Sequence, residues 1–297
     1  MTKIFKHFIL GFVSLFVVQH FSLAQENNGI LFEISGNGLK QRSYIFGTIH
    51  LIPKNKYYFP ASWEKIVKSC NTLVLEMDLN IPIKSQIEMV QKMILENGKT
   101  LKDFMTENQY QEFRSYYLDT MQLSESKLDK YIRFKPVFFA SAIFMEEMKH
   151  NGVKTETYEV KLNKIAKKQK MNFVPLETFE FQLSVLNNIP MNEQMLLFAT
   201  NLESNYKSSL KEYYQLLDMY LKKDVDSLFL MMKKSSDFEL FEKELITTRN
   251  HNWIPLIKKN ISINSCFIAV GAGHLGGTLG VLNLLRKEGY KITPINE

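Results

Sequence analysis

The chain has 297 residues, 45% of them hydrophobic and 23% charged, which is ordinary globular usage with enough apolar content for a sizeable core. Collagen, coiled coil, wholesale disorder and a polytopic membrane protein are excluded on that ground. The formal charge of +6 does not argue for nucleic acid, because the 37 bases and 31 acids are interspersed and no RNA- or DNA-binding module is recognisable.

Residues 1–24 read as a secretory signal peptide. Lys3 and Lys6 precede an apolar run over residues 8–18, and Ser22-Leu23-Ala24 supplies the small side chains that a signal peptidase reads. The run is shorter than the roughly 20 residues of a bilayer span, and Gln19 and His20 interrupt it, so an uncleaved anchor is the lesser alternative. No later segment reaches spanning length. The expectation is an exported protein, periplasmic or extracellular, with no membrane span after cleavage. Cys70 and Cys266 are the only cysteines, which excludes a disulfide scaffold and four-thiolate metal centres and leaves one bridge or two free thiols.

The mature chain opens with two strand-like runs, residues 30–34 and 41–46, around Gly36-Asn37-Gly38, a hairpin signature. A short helix from Pro60 to Lys68 and the β-rich run 72–75, ending in Glu76, continue a β-α-β pattern. Ile83, Ile87, Val90 and Ile94 then fall at helical spacing, and Thr106-x-x-Gln109 is a capping box opening another helix. Helices are expected over 136–150, 158–168 and 192–234, with a strand over 172–176. The C-terminal end returns to α/β, with a buried strand over 266–270, a helix over 275–288 and a last strand over 290–294. The reading is an α/β fold, with a central, mostly parallel sheet formed by both chain ends and helical insertions from the middle. It places a single domain over 25–297, its α/β core at about 29–80, 155–180 and 262–297 and its helical insertions at about 81–150 and 190–258.

Two of these strands end alike. Gly47-Thr48-Ile49-His50-Leu51 and Gly271-Ala272-Gly273-His274-Leu275 both read G-x-x-H-L, although the whole chain holds only 13 glycines and 6 histidines. A glycine at a strand's C-terminal end allows a sharp turn, and that edge of a parallel sheet is where α/β proteins gather side chains from separate loops. Glu76 ends the strand 72–75 and reaches the same rim if that strand runs parallel to the other two. Two imidazoles and a carboxylate form a set able to hold a divalent ion, with Mn, Co or Zn as candidates, and to leave positions open for water or substrate. Neither an H-E-x-x-H helix nor a G-x-S-x-G elbow is present.

These residues resemble the TraB/GumN family, the PrgY and Tiki group, related at the level of fold to erythromycin esterases and ChaN-like proteins. The resemblance runs from about Gly29 to Ile295. It is carried by Phe46 to His50, Val74-Leu75-Glu76, Leu176-Glu177-Thr178 with Gln182, Arg249-Asn250 with Trp253, and Val270 to Leu275. Where members often carry Asp-x-x-Leu, this chain has Glu159-Val160-Lys161-Leu162. The resemblance implies metal-dependent peptide hydrolysis for the Tiki branch and peptide inactivation or sequestration for the PrgY branch.

The expected function is therefore an extracytoplasmic metal-dependent hydrolase, a peptidase acting on peptides or secreted proteins. His50, Glu76 and His274 would bind the ion and Arg249 or Glu177 assist, by an ion pair that braces the site or by stabilising an oxyanion. The alternatives are a non-catalytic protein that sequesters a peptide, and a metal or haem carrier. His150 reads as a helix-end residue and His251 as scaffold.

Overall fold

The computed structural model describes residues 27–203, 207–234 and 242–296; the expected signal peptide lies outside them. Strands β1 (Leu31–Ser35) and β2 (Ser43–Thr48) form the expected antiparallel hairpin. Its turn holds Gly36, Asn37 and Gly38 at φ of 78°, 47° and 76°, a region that glycine and asparagine enter at low cost. After β3 (Ile52–Pro53) come helix α1 (Ala61–Lys68) and strand β4 (Thr72–Leu75). Four helices follow, α2 (Ile83–Met93), α3 (Glu107–Ser115), α4 (Glu125–Tyr131) and α5 (Pro136–His150). At the start of α3 the Thr106 hydroxyl accepts the Gln109 N–H at 3.3 Å while the Gln109 carboxamide accepts the Thr106 N–H at 2.9 Å, as the capping box requires.

The chain returns to the sheet through β5 (Thr155–Glu156), α6 (Tyr158–Gln169) and β6 (Asn172–Pro175). Helices α7 (Phe179–Asn187), α8 (Met191–Glu203), α9 (Lys207–Leu221) and α10 (Val225–Met232) come next. A π turn (Lys243–Thr247) runs into α11 (Thr248–Ile263), followed by β7 (Cys266–Gly271), α12 (Val281–Lys287) and β8 (Lys291–Pro294).

The main sheet has the order β6-β4-β7-β2-β1-β8. Its first four strands are mutually parallel, and β1 is antiparallel to both β2 and β8. This is the expected α/β fold, with both chain ends in one mostly parallel sheet. All four residues of β4 and the first five of β7 are buried, the continuous apolar run that a strand needs when both its faces are covered. The packed pair α1 and α6 adds Trp63, Val67, Leu162 and Ile165 to this core, and the packed pair α11 and α12 adds Trp253, Ile257, Leu282 and Leu285. Phe46 stands edge-on to Trp63 and Tyr158 at centroid distances of 5.3 and 5.1 Å. Side chains buried in this way contribute about 1.5–3 kcal/mol each relative to exposure. The middle helices build a second cluster around Phe113, Tyr117, Leu128 and Phe139, to which Phe198 of α8 is added.

Three local expectations change. The helical stretch 192–234 is broken between α9 and α10, where Asp224 caps α10 by accepting the Ser227 N–H at 2.9 Å. The helix expected over 275–288 begins only at Val281. Ala272–His274 instead forms a 3-10 turn, and the Gly277 N–H, at a φ of 78°, donates to the Asp226 carboxylate at 2.9 Å. The antiparallel pair β3-β5 has no counterpart in the sequence reading; two residues per strand leave no periodicity to detect. Among the described residues, no helix is long and apolar enough to cross a membrane. Cys70 and Cys266 are buried free thiols, and with Thr72 opposite Cys266 both stand near the N-terminal ends of neighbouring strands. Burial pushes their pKa values up to about 12 and about 11.

Candidate functional site

The three strands that carry the candidate ligands are consecutive in the sheet, in the order β4-β7-β2, and all point the same way. Glu76 and the two G-x-x-H-L turns therefore leave the same C-terminal edge, with Gly271 at the end of the middle strand. A methyl group placed on Gly271 would lie 3.4 Å from Glu76 Oε1, 3.6 Å from His274 Cδ2 and 3.9 Å from His50 Nε2. The three side chains thus converge on the bare face of Gly271. Its N–H donates to Glu76 Oε1 at 2.6 Å and fixes that carboxylate at the rim.

His274 is 5% exposed. Its tautomer follows from its neighbours. Arg249 Nη1, which can only donate, lies 3.3 Å from Nε2, and Asn250 Oδ1 lies 2.7 Å from Nδ1. The Asn250 amide is held by donating to the carbonyls of His274 and Leu279, at 3.3 and 2.9 Å, so Oδ1 is the acceptor that faces the ring. Nδ1 therefore carries the proton and the lone pair is on Nε2. Burial lowers the His274 pKa to about 3, which keeps the ring neutral.

His50 is the opposite case, with 74% of its side chain exposed. Its Nδ1 faces Glu159 Oε1 at 3.5 Å, and the same oxygen accepts the Thr48 hydroxyl at 2.6 Å. Glu159 raises the His50 pKa above its ordinary value, against the effect of desolvation. The β3-β5 pairing closes the loop between His50 and the start of α6 and so brings Glu159 to this position.

On the other side of Glu76 lies a buried ion-pair network. Arg249, on α11, donates from Nη2 to Glu76 Oε2 at 2.7 Å and to Glu177 Oε1 at 2.5 Å, and from Nε to Glu177 at 3.0 Å. Glu177 also accepts Gln182 Nε2 at 2.7 Å and Trp253 Nε1 at 3.0 Å. Of the two roles expected for these residues, the ion pair is the one whose contacts are present. Burial pushes the Glu76 carboxyl up, but the facing His274, His50 and Arg249 and the Gly271 N–H together hold it down at about 2. With side chains 11% and 5% exposed, Glu76 and Glu177 would be left as uncompensated charges by loss of Arg249, at a cost of about 3–5 kcal/mol.

The donor chemistry suits a divalent ion. Each imidazole turns Nδ1 to an acceptor, Asn250 or Glu159, the outer-shell pattern of histidine metal ligands, while Nε2 of His274 faces the Arg249 guanidinium. As they stand, no three His, Cys, Asp or Glu side chains among the described residues form a group spaced to grip an ion. The Arg249 guanidinium lies between Glu76 Oε2 and His274 Nε2.

Asn250, Gln182 and Glu159 were not assigned roles by sequence reasoning. Asn250 had a signal: with Trp253, Ile254, Ile257 and Ile261 it marks the buried stripe of α11, and an asparagine in an apolar stripe needs buried partners. His251 is exposed on the same helix with Nδ1 2.8 Å from the Thr247 carbonyl, and His150 is the exposed last residue of α5.

The chain belongs to the TraB/PrgY/gumN family, whose sequence profile matches residues 30–294. It is similar to the protein named Metalloprotease TIKI2 of Danio rerio, at 24% identity over 311 residues covering 86% of this chain and 59% of that one. It is also similar to Metalloprotease TIKI2 of Xenopus tropicalis, at 23% identity over 305 residues covering 84% and 57%. The chain thus spans less than three fifths of the length of these relatives. No solved structure gives a significant match.

Proposed function

We propose that the protein is a metal-dependent peptide hydrolase acting outside the cytoplasm. The observation that carries this reading is the convergence of His50, Glu76 and His274 on the bare face of Gly271, with Nδ1 of both imidazoles turned to an acceptor. Family membership and the likeness to two proteins named metalloproteases support it, and the signal-like pattern of residues 1–24 supports export.

His50, Glu76 and His274 would hold the ion, which when bound supplies Lewis acidity toward a peptide carbonyl and activates a water for attack. In neutral His274, Asn250 fixes the tautomer that puts the lone pair on Nε2, from which the Arg249 guanidinium, 3.3 Å away, would have to withdraw for an ion to bind. Glu76 stays ionised under the influence of Arg249 and the Gly271 N–H. Arg249 also lines the adjoining cleft, where its guanidinium is held by Glu76, Glu177 and the Leu245 carbonyl and so keeps the Glu76 carboxylate in place. Glu177, wholly engaged by Arg249, Gln182 and Trp253, acts by holding Arg249 in place.

A second reading, non-catalytic sequestration of a peptide, is favoured by one feature: the guanidinium occupies the gap between Glu76 and His274. Incubation of the protein, loaded in turn with Mn, Co or Zn, with a diverse peptide library followed by mass spectrometry separates the two. Cleavage products that appear with metal and vanish in His50→Ala and His274→Ala are expected. Retention of intact peptides with no products would leave sequestration.

A further inference from the structure

His50 is a wall of two hollows. The larger, ≈ 440 Å³, is walled by Phe144, Tyr213, Leu216, Leu228, Met232 and Leu245 and reaches Arg249, Gly271 and His274 at its inner end. The smaller, ≈ 250 Å³, is formed by Leu75, Met77, Leu79 and Val160 and reaches Glu76 and Glu159. Between them, the two hollows take in all three candidate ligands, and His50 lines both.

The walls of the larger hollow are apolar in chemistry as well as in composition. Its tyrosine hydroxyls are turned away to backbone carbonyls, Tyr213 donating to Leu51 at 2.7 Å and Tyr220 to Gly47 at 3.0 Å, so the rings present their hydrocarbon. Its guanidinium, Arg249, is already paired with Glu76 and Glu177. A charged side chain entering would lose water against apolar walls, whereas an apolar one would gain from burial. The volume is within the roughly 300–1,000 Å³ of small-ligand pockets, ample for one large side chain. An extended peptide points consecutive side chains to opposite sides. Two hollows that share His50 as a wall therefore match the two side chains that flank a single peptide bond.

Building on the peptidase reading above, we infer that these hollows are the specificity subsites: the larger takes a Phe, Leu or Met side chain on one side of the scissile bond, and the smaller takes an apolar side chain of about valine or leucine size on the other. The substrates are then apolar peptide segments, and charged residues next to the bond exclude cleavage.

The test uses quenched fluorescent octapeptides in which the two residues at the scissile bond are varied among Phe, Leu, Met, Val, Ala, Asp and Lys. Metal-loaded protein should cleave Phe, Leu or Met pairs with a kcat/KM about 10- to 100-fold above Ala and further above Asp or Lys, the span that pocket filling supports. Leu216→Trp on α9 and Leu245→Trp on the π turn each fill the larger hollow from a different element, and each should cut the Phe-to-Ala ratio about tenfold or more. Turnover without an apolar preference, or ratios unchanged in both folded variants, would overturn the inference while leaving the peptidase reading standing. If no peptide is cleaved, the peptidase reading falls, and fluorescence polarisation with the same peptides decides about the subsites. Tighter binding of Phe, Leu and Met peptides, weakened by Leu216→Trp, keeps them; uniform binding or none overturns them.

Discussion

The turns at Gly47 to Leu51 and Gly271 to Leu275 share five-residue motifs and leave adjacent parallel strands, yet they are not structural copies. Their strands are staggered by one residue: Gly47 lies opposite Val270, and Gly271 lies opposite Thr48. In a sheet a one-residue slip reverses the face, so the two glycines turn their bare sides in opposite directions. A methyl group on Gly47 would meet Leu275 Cδ1 at 2.8 Å and Ala272 at 3.1 Å, beneath the other turn, while one on Gly271 would lie among the three ligands. The histidines diverge in the same way. His274 is buried under α11 beside Trp253, at 4.4 Å between ring centroids, and His50 stands in solvent against Glu159. A repeated motif thus places two imidazoles at one edge, and their neighbours decide that one is held inside the fold and the other is an exposed wall.

The sharpest break of this comparison is to remove each imidazole. Both His274→Ala and His50→Ala should take peptide hydrolysis to background, but only the first should cost stability. His274→Ala leaves Asn250 Oδ1 without its donor in a buried position, a loss of about 1–3 kcal/mol, whereas His50→Ala should stay within about 0.5 kcal/mol in urea unfolding. Next in size are the outer partners. Asn250→Ala should weaken ion affinity about 10- to 100-fold, and Glu159→Ala should fall toward the lower end of that range because His50 is only partly held, both read by competition with a chelating dye.

The glycines separate stability from function. Gly47→Ala should lose about 1–3 kcal/mol by overpacking against Leu275 and Ala272, while Gly271→Ala, whose nearest contact is 3.4 Å, should unfold within about 0.5 kcal/mol of the parent and lose ion affinity. The last contrast is in pH. In ion-free protein the His274 pKa is depressed to about 3, so the unfolded chain takes up that proton first, and its contribution to stability falls as pH drops from about 6.5 toward 3. The raised His50 pKa acts in the other sense. Its interaction with Glu159 stabilises fully below about pH 6.5 and is lost as pH rises through the folded-state value of about 9. His274→Ala should therefore flatten the acid limb of the stability profile and His50→Ala the alkaline limb, the latter only slightly because the ring is exposed. Unchanged limbs in both variants would contradict these assignments.

What was legible in the sequence follows the range of the interactions involved. The hairpin, the buried β4 and β7 runs and the capping box at Thr106 are local patterns, and each appears where its residues place it. The shared edge of His50, Glu76 and His274 was legible because strand ends in a parallel sheet align whatever lies between them. The one-residue stagger was not, since register is set by pairing between segments more than two hundred residues apart. The late start of α12 was partly legible: Gly276, Gly277 and Gly280 disfavour helix within 275–280, and only the claim of Asp226 of α10 on the Gly277 N–H was hidden. Glu159 reaches His50 only through the β3-β5 pair, which carries no pattern of its own.

The central claim is that His50, Glu76 and His274 hold one ion between the two turns. Equilibrium dialysis of the ion-free protein against Mn, Co and Zn, with the bound metal counted by elemental analysis, tests it most directly. One ion per chain in the parent and none in the double variant His50→Ala, His274→Ala is the predicted result. A double variant that keeps the parent's stoichiometry, or a parent that binds none of the three metals, would contradict it.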